Sequence, residues 1–479
     1  MLLSPSSRSP FPLSVASHRS QAPPPPPPPP SVRSDLLLRL VAPVSFPAGG
    51  DMDGPKPNPR KSAEAGFSDD ALVEVLSRLP VKPLHRSKCV GKAWRDLVDD
   101  PLHREKLPQT LEGFLVMDEG EICGGGSGEK QFDFFPLLAR SVPLEIDPTF
   151  SFLTKLPGIE ALTLSDSCNG LLLFEHGRNS DPSDVLGYIV CNPATEQWHA
   201  VPTCGCPPPE FRRARTTYNY LVFDPAASSH FHLVQFCRDA WVQRFDMEGH
   251  PLGVREEWYA ITVHAYSSET GTWIHSQSDW DVQQVQEHLE GWRHESLILD
   301  RGRQRAFVNG MLHFIISDQS KRKIVAVDVL GKTRKVISLP AEVHGRCWPR
   351  PGYLVHSQER LHYINQEFDA DGKQSCELSI WVLEDYDTQE WVLKHTVAFL
   401  KLFGKKNCIY YENDFRFLGM HPDCNVVFFV QPSNLELISY DMDRQEVSVI
   451  GAFKNDYWRM RAVPYVPYFK DSMALTNKS

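Results

Sequence analysis

The sequence predicts a mainly β protein, in which a small three-helix module precedes a β-propeller of about six or seven blades. Two observations support this prediction. Apolar residues recur at helical spacing between residues 67 and 107, and beyond residue 108 short β-rich runs separated by turn residues continue towards the C-terminus. The second most plausible architecture for the β-rich part is a pair of β-sandwiches.

Composition restricts the class of partner. The chain has 479 residues, of which 41% are hydrophobic and 23% charged, so it can bury a large core. Its formal net charge of -10 offers no basic field for phosphate backbones or anionic lipid, so protein partners are favoured over nucleic acid or membrane. Eleven cysteines, mostly scattered singly, suggest reduced thiols and a location in the cytoplasm, the nucleus or both.

The N-terminal segment differs from the rest of the chain. It contains an unbroken proline run from Pro23 to Pro30, and Asp35 is the sole acidic residue before residue 51. Such a composition cannot form a packed core, so we expect a disordered leader over residues 1–62. An organelle transit peptide is the alternative, because the segment is rich in Ser and Arg and poor in acids.

The first predicted helix has consistent start and stop signals. Ser68 is a suitable N-cap, Asp69 and Asp70 complement the positive end of the helix dipole, and Pro80 cannot continue the hydrogen-bond ladder. Four apolar residues fall on one helical face at spacings i, i+3, i+4 and i+7: Leu72, Val75, Leu76 and Leu79.

Two more short helices follow. One is expected to begin at Pro83 with Leu84 pointing inward, and the next carries an apolar stripe through Val90, Trp94 and Leu97. A unit of about forty residues is near the lower limit for independent stability, so it should need a neighbour. That neighbour is either a partner protein or the following domain of the same chain.

The β-rich part contains a repeated unit of three short strands, in which a polar turn precedes a third strand that Trp often opens, and we find five copies. Each copy predicts a small antiparallel sheet, and the sheets together predict the ring of a propeller. Residues 111–117 are expected to close this ring by pairing with the last strand. The predicted propeller spans residues 111–465, and residues 466–479 are a predicted tail. The copies lie at residues 169–202, 221–273, 309–340, 360–393 and 426–450.

The helical module resembles an F-box of the plant type. It departs from the usual pattern in having Phe67-Ser68 where Leu-Pro is common, and Gly91 where Cys is common. The resemblance covers residues 67–107 at these positions: Asp69, Asp70, Leu79, Pro80, Val81, Lys82, Leu84, Arg86, Val90, Lys92, Trp94, Arg95, Leu97, Asp100 and Pro101.

The β-rich part is similar to the F-box-associated domain of plant F-box proteins, through residues 168–172, 191–198 and 221–225. The two resemblances together imply a substrate-recognition subunit of a Skp–cullin–F-box ubiquitin ligase. Its F-box would bind a Skp-type adaptor, and through it a cullin scaffold, while the propeller would hold a protein substrate. The resemblance implies adaptor contacts by Leu72, Val75, Leu76, Leu79, Pro80, Val81, Leu84 and Trp94.

No sequence motif indicates catalysis. The chain lacks a phosphate-binding Gly-x-x-x-x-Gly-Lys loop, a Gly-x-Ser-x-Gly elbow and a His-Glu-x-x-His helix. Cys204 and Cys206, with Cys191 upstream, fit no standard zinc spacing. We therefore expect a non-catalytic subunit without cofactor or metal. The alternative function is a β-propeller binding or sugar-handling protein whose helical segment is only structural.

Overall fold

A computed structural model describes the chain over the ranges given at the end of this paragraph. The predicted leader, residues 1–62, lies outside these ranges. Among the described residues, no helix is long and apolar enough to cross a membrane. The ranges are 68–118, 131–137, 146–178, 181–206, 213–241, 260–276, 305–318, 321–340, 352–368, 374–404, 415–431, 434–453 and 460–478.

The predicted helical module is present as three α-helices and a short 3₁₀ turn. Ser68 caps the first helix, because its hydroxyl accepts a hydrogen bond from the backbone N–H of Ala71 at 3.3 Å. Asp100 caps the final turn in the same way through the N–H of Leu102. The elements are α1 (Asp69–Leu76), α2 (Val81–Ser87), α3 (Lys92–Asp99) and the turn Pro101–His103.

The helix boundaries differ from the prediction at two places. Helix α1 ends at Leu76, before Pro80, because the Leu79 N–H bonds to the Leu76 carbonyl three residues back and tightens the chain into a turn. Helix α2 consequently begins at Val81 rather than Pro83, with Pro80 as its N-cap residue. Val90 precedes α3 and is 54% exposed, so it does not belong to the inward stripe.

Beyond the module the described strands form six sheets arranged as a six-bladed propeller. Blade 1 comprises β3 (Ala161–Cys168), β4 (Leu171–Arg178), β5 (Asp181–Asn192) and β6 (Gln197–Pro202). Blade 2 comprises β7 (Arg213–Val222), β8 (His232–Trp241), β9 (Ala260–Ser267) and β10 (Thr272–Ser276). Blade 3 comprises β11 (Arg305–Val308), β12 (Met311–Asp318), β13 (Lys321–Val327) and β14 (Thr333–Ser338).

The remaining blades follow the same plan. Blade 4 comprises β15 (Tyr353–Ser357), β16 (Arg360–Phe368), β17 (Gln374–Asp385) and β18 (Glu390–Ala398). Blade 5 comprises β19 (Arg416–Met420), β20 (Val426–Gln431), β21 (Glu436–Asp441) and β22 (Glu446–Ala452). Blade 6 is formed by β23 (Met460–Tyr465), β1 (Gly113–Asp118) and β2 (Gln131–Pro136). Among the described residues, two short helices, α4 (Ser151–Thr154) and α5 (Phe399–Phe403), lie between blades in the sequence.

Blade 6 closes the ring by joining the two ends of the propeller. Strand β1 pairs antiparallel with β23, with Gly113 opposite Tyr465 and Asp118 opposite Met460. The expected closure by residues 111–117 is therefore confirmed. The five predicted copies correspond to blades 1 to 5, each of which has at least four strands where the sequence predicted three.

Each pair of neighbouring blades shares its own hydrophobic core. The cluster between blades 5 and 6, for example, contains Phe114 and Phe428, whose ring centroids are 5.4 Å apart in an edge-to-face contact. Similar clusters lie between the other neighbouring blades. The alternation of inward and outward residues along the strands supplies these contacts.

A buried ion pair ties three inner strands together. The Asp166 carboxylate on β3 pairs with the Arg305 guanidinium on β11, and it also accepts a hydrogen bond from the backbone N–H of Leu221 on β7 at 2.7 Å. Arg305 lies over the ring of Tyr220, also on β7. These contacts link blades 1, 2 and 3 near the axis of the ring.

The predicted tail is part of the propeller, so the predicted boundary at residue 465 is too early. Asn477–Lys478 forms a fifth strand, β24, on blade 1 by pairing with β6. Ala474 and Leu475 are buried in the cluster between blades 1 and 2. The sequence signal was weak because these apolar residues are few and separated by polar ones.

Packing of this segment can be tested at Gly170, in the turn between β3 and β4. Its φ is +90°, and an added Cβ would lie 2.4 Å from the Tyr468 Cβ. Gly158 has a similar φ of +88° but open space around it. We expect Gly170→Ala to lower the free energy of unfolding by about 1 to 3 kcal/mol more than Gly158→Ala, measured by urea titration. Equal losses would show that residues 466–478 do not pack there.

Candidate functional site

The helical module has a small core of its own. This core places Leu76 from α1, Leu84 from α2 and Leu97 from α3 against one another. A salt bridge of 2.6 Å between Lys88 Nζ and Asp99 Oδ1 joins the end of α2 to the end of α3. The other buried members of the core are Val73, Val98 and Leu107.

The structure divides the predicted adaptor-binding residues into three groups. Leu76 and Leu84 are buried in the core of the module, so they shape the helices rather than face outward. Val75 and Pro80 are exposed. The remaining four, which keep part of their surface open while several pack on the core, are Leu72, Leu79, Val81 and Trp94.

Two further apolar residues of the module are exposed and were not predicted as contacts. Val90, before α3, is 54% exposed and Leu102, in the 3₁₀ turn, is 83% exposed. Leu102 follows the Asp100-Pro101 break, where a short turn leaves little neighbouring chain to cover a side chain. We define Val75, Pro80, Val90, Leu102 and the open part of Trp94 as the exposed apolar surface of the module.

The module is fixed to the propeller through a short connection. The Thr110 hydroxyl donates a hydrogen bond to Asp423 Oδ2 at 2.8 Å, in the turn between β19 and β20. The backbone N–H of Glu112 donates to the carbonyl of Tyr465. Leu107 belongs to the module core and Leu111 to the core between blades 5 and 6. Residues 67–479 accordingly form a single compact unit.

His421 lies at this junction in its neutral form. Its Nδ1 accepts a hydrogen bond from the backbone N–H of Asp423 at 3.1 Å, which a protonated ring could not do. Burial, together with the smaller effect of the nearby His85, lowers the pKa of His421 to about 4. Burial raises the pKa of Asp423, and the hydrogen bond from Thr110 opposes that rise.

These values predict an acid-sensitive junction. Between pH 6.5, the ordinary His pKa, and about pH 4, the unfolded chain binds a proton at His421 that the native chain does not. The free energy of unfolding should therefore fall as the pH decreases through this window. We expect His421→Gln to make the fall in the free energy of unfolding shallower in urea titrations. Part of the fall should persist, because burial also lowers the pKa values of His313 and His362 to about 4. An unchanged slope would contradict this role.

The module lies on one defined face of the propeller. The turn at residues 421–425 joins the first two strands of blade 5, and because strands alternate in direction, the first and third turns of blades 1 to 5 lie on this face. The second turns of these blades, and the links that follow them, start at the opposite face. Two long segments of the sequence start there, since β8 ends at Trp241 and β9 begins at Ala260, and β10 ends at Ser276 and β11 begins at Arg305.

Known families match both parts of this arrangement. An F-box domain model matches residues 66–106. A model described as the β-propeller of F-box proteins like At3g26010 matches residues 140–466, which is more than half of the chain. The chain belongs to this family. The F-box resemblance of the helical module and the propeller prediction are thereby confirmed, and the described strands form six blades.

Relatives from Arabidopsis thaliana are similar to this chain over most of its length. F-box protein At5g49610 is 26% identical over 337 residues, covering 69% of this chain and 79% of the relative. F-box protein DOR is 23% identical over 403 residues, covering 80% of this chain and 89% of the relative. Among solved structures, apo AztD from Citrobacter koseri aligns with a TM-score of 0.29 at 10% identity, over 74% of this chain and 99% of that one.

The three cysteines considered together in the sequence, Cys191, Cys204 and Cys206, do not lie together in the fold. Cys191 is buried in the core between blades 6 and 1 with residues such as Phe174 and Tyr465. Cys204 and Cys206 instead lie after β6 and meet His264 of β9, so the ligating atoms of these three residues all lie within 4.8 Å of one another. The spacing of cysteines in the sequence could not reveal a histidine from the neighbouring blade.

Proposed function

We propose that this protein is the substrate-recognition subunit of a Skp–cullin–F-box ubiquitin ligase. The F-box binds a Skp-type adaptor, and the propeller holds a protein substrate near the ubiquitin-transfer machinery. The single observation that carries the proposal is the F-box, matched over residues 66–106, whose helices leave apolar side chains exposed next to a large binding domain.

The adaptor contact centres on the exposed apolar surface of the module. Val75 and Pro80 have the most open side chains among the predicted contacts, and Trp94 offers an aromatic ring whose inner part is held by the core. A ring anchored in this way contributes contact area at low entropic cost. Leu76 and Leu84 support the same surface from beneath by positioning α1 and α2.

The substrate binds on the propeller face opposite the F-box. The F-box occupies the face that carries the turn at residues 421–425, and the adaptor would cover its outer side. The opposite face carries the second turns and the links that follow blades 1 to 5, and loops leaving a rigid scaffold are suited to vary with the partner. The chain contributes proximity rather than chemistry, because holding a substrate raises the effective concentration of its lysines.

The rigid connection between the F-box and the propeller favours this division of labour. The hydrogen bonds at Thr110 and Glu112 and the flanking cores fix the direction in which the propeller projects from the adaptor. A fixed geometry keeps a bound substrate within one range of distances from the enzyme. We further propose that the protein acts in the cytoplasm, the nucleus or both, where thiols stay reduced.

Comparative purification tests the receptor function. The full chain and its Val75→Asp variant are expressed with an affinity tag under proteasome inhibition, and the co-purifying proteins are quantified. A substrate should bind both forms and carry ubiquitin chains only with the wild-type chain, because the variant keeps its propeller but loses the adaptor. The proposal fails if the wild-type chain retains neither adaptor nor ubiquitinated protein.

A further inference from the structure

A cluster of soft ligand atoms lies at the interface between blades 1 and 2. Cys204 and Cys206 come from the loop that follows β6 of blade 1, and His264 comes from β9 of blade 2. The Sγ atoms of the two cysteines are 2.9 Å apart, and Cys206 Sγ is 3.1 Å from His264 Nε2. A third thiol, that of Cys237 on β8, contacts Cys204, although it is not among the three residues whose ligand atoms all lie within 4.8 Å of one another.

The local backbone explains why the two loop thiols meet. Side chains two residues apart on an extended strand are separated by about 6.6 Å. Gly205 interrupts the extension with a φ of +71°, and a Cβ there would have open space around it. The chain therefore folds at this glycine, and both thiols turn towards blade 2.

Strand register explains the contribution of blade 2. His264 lies directly opposite Gln235 of β8, and Cys237 is two residues from Gln235, so the three side chains share one face of the sheet. This face points towards blade 1, because Gln235 Nε2 contacts the hydroxyl of Tyr188 on β5 at 2.5 Å. The loop of blade 1 thus brings two thiols to the face of blade 2 that carries the Cys237 thiol and the His264 imidazole.

We propose that Cys204, Cys206, Cys237 and His264 form a structural Zn²⁺ site that clamps blade 1 to blade 2. Three thiolates and one imidazole nitrogen match the ligand preference and number of closed tetrahedral zinc sites. Binding releases the thiol protons to solvent and requires ligand atoms roughly 3.5 to 3.8 Å apart. Binding would therefore widen the present separations of 2.9 Å between the two thiols and 3.1 Å between Cys206 and His264, and both thiols are half-buried.

One surrounding feature supports the site. His264 Nδ1 is 3.1 Å from Nδ1 of His275, which lies opposite it on β10, so the second ring nitrogen has a partner that fixes the orientation of the first.

Metal analysis of the full-length chain tests the site, which does not depend on the receptor function. The chain is purified without chelator under reducing conditions, and its zinc content is measured by inductively coupled plasma mass spectrometry. We expect about one zinc per chain in the wild type, and loss of most of it in Cys206→Ser and His264→Asn. Cys424→Ser is the matched control, since Cys424 is also a half-buried thiol in a turn.

A second measurement covers variants that fail to fold. The wild-type chain is stripped with a chelator and titrated with Co²⁺, which should produce thiolate charge-transfer bands and the visible bands of tetrahedral cobalt, and adding Zn²⁺ should raise the melting temperature. The proposal is overturned if the wild type shows neither zinc nor these bands. Equal zinc loss in Cys424→Ser, or a Cys204–Cys206 disulfide in the reduced preparation, would also overturn it.

Discussion

Val75→Asp should abolish co-purification of the Skp-type adaptor while leaving the protein folded. Val75 lies on α1, is 45% exposed and does not belong to the core of the module, so the change removes no internal packing. In the complex, however, it would place a carboxylate in an apolar contact. A loss of about 2 kcal/mol or more at such a position weakens binding about thirtyfold or more. Binding to purified adaptor, measured by calorimetry, gives this number.

The choice of residue and its control make the result specific. Trp94→Ala with Leu79→Ala should also remove binding, but both side chains pack on the module core, so that variant also tests folding. Val449→Asp is the matched control, because Val449 is 60% exposed on β22 of blade 5. An interface on α1 would be contradicted if Val75→Asp bound the adaptor as well as the wild type does. It would also be contradicted if Val75→Asp and Val449→Asp lost binding equally.

Arg305→Ala should be among the most destabilising single substitutions in the propeller. The change leaves the Asp166 carboxylate fully buried without its cation, although the N–H groups of Ser167 and Leu221 still donate to it. Removing one partner of a buried ion pair typically costs about 3 to 5 kcal/mol. We expect a loss of about 3 kcal/mol or more in the free energy of unfolding, measured by urea titration.

An exposed ion pair in the same blade supplies the comparison. Arg334 pairs with Asp328 at 2.5 Å, but its side chain is 54% exposed, so Arg334→Ala should cost less than about 1 kcal/mol. Combining Arg305→Ala with Asp166→Ala should cost less than the sum of the single changes, because the second change removes the unpaired charge. Similar losses for Arg305→Ala and Arg334→Ala would show that the central pair has no special role.

Local patterns in the sequence predicted much of the fold. The cap at Ser68, the helical spacing of apolar residues and the five strand repeats are short-range signals, and the structure contains each of them. The closure of the ring by residues 111–117 was also predictable, because a propeller needs a partner for its last strand. The blade count needed the structure, since blade 6 is assembled from strands at both ends of the domain.

Features that depend on tertiary contacts were not predictable in the same way. Helical spacing grouped Leu76 with Val75, yet the neighbouring helices cover Leu76 and leave Val75 exposed. The packing of Leu475 on blades 1 and 2 requires a partner far away in the sequence. Likewise, His264 joins Cys204 only because strand register and the interface between two blades bring them together.

The account depends most on the F-box binding its adaptor directly. The most direct measurement mixes the purified chain with purified Skp-type adaptor and determines the mass of the product by size-exclusion chromatography with light scattering. The account predicts a stable complex of one chain with one adaptor. Two separate peaks at micromolar concentrations, from a chain shown to be folded, would contradict it and favour a propeller protein that acts outside the ligase.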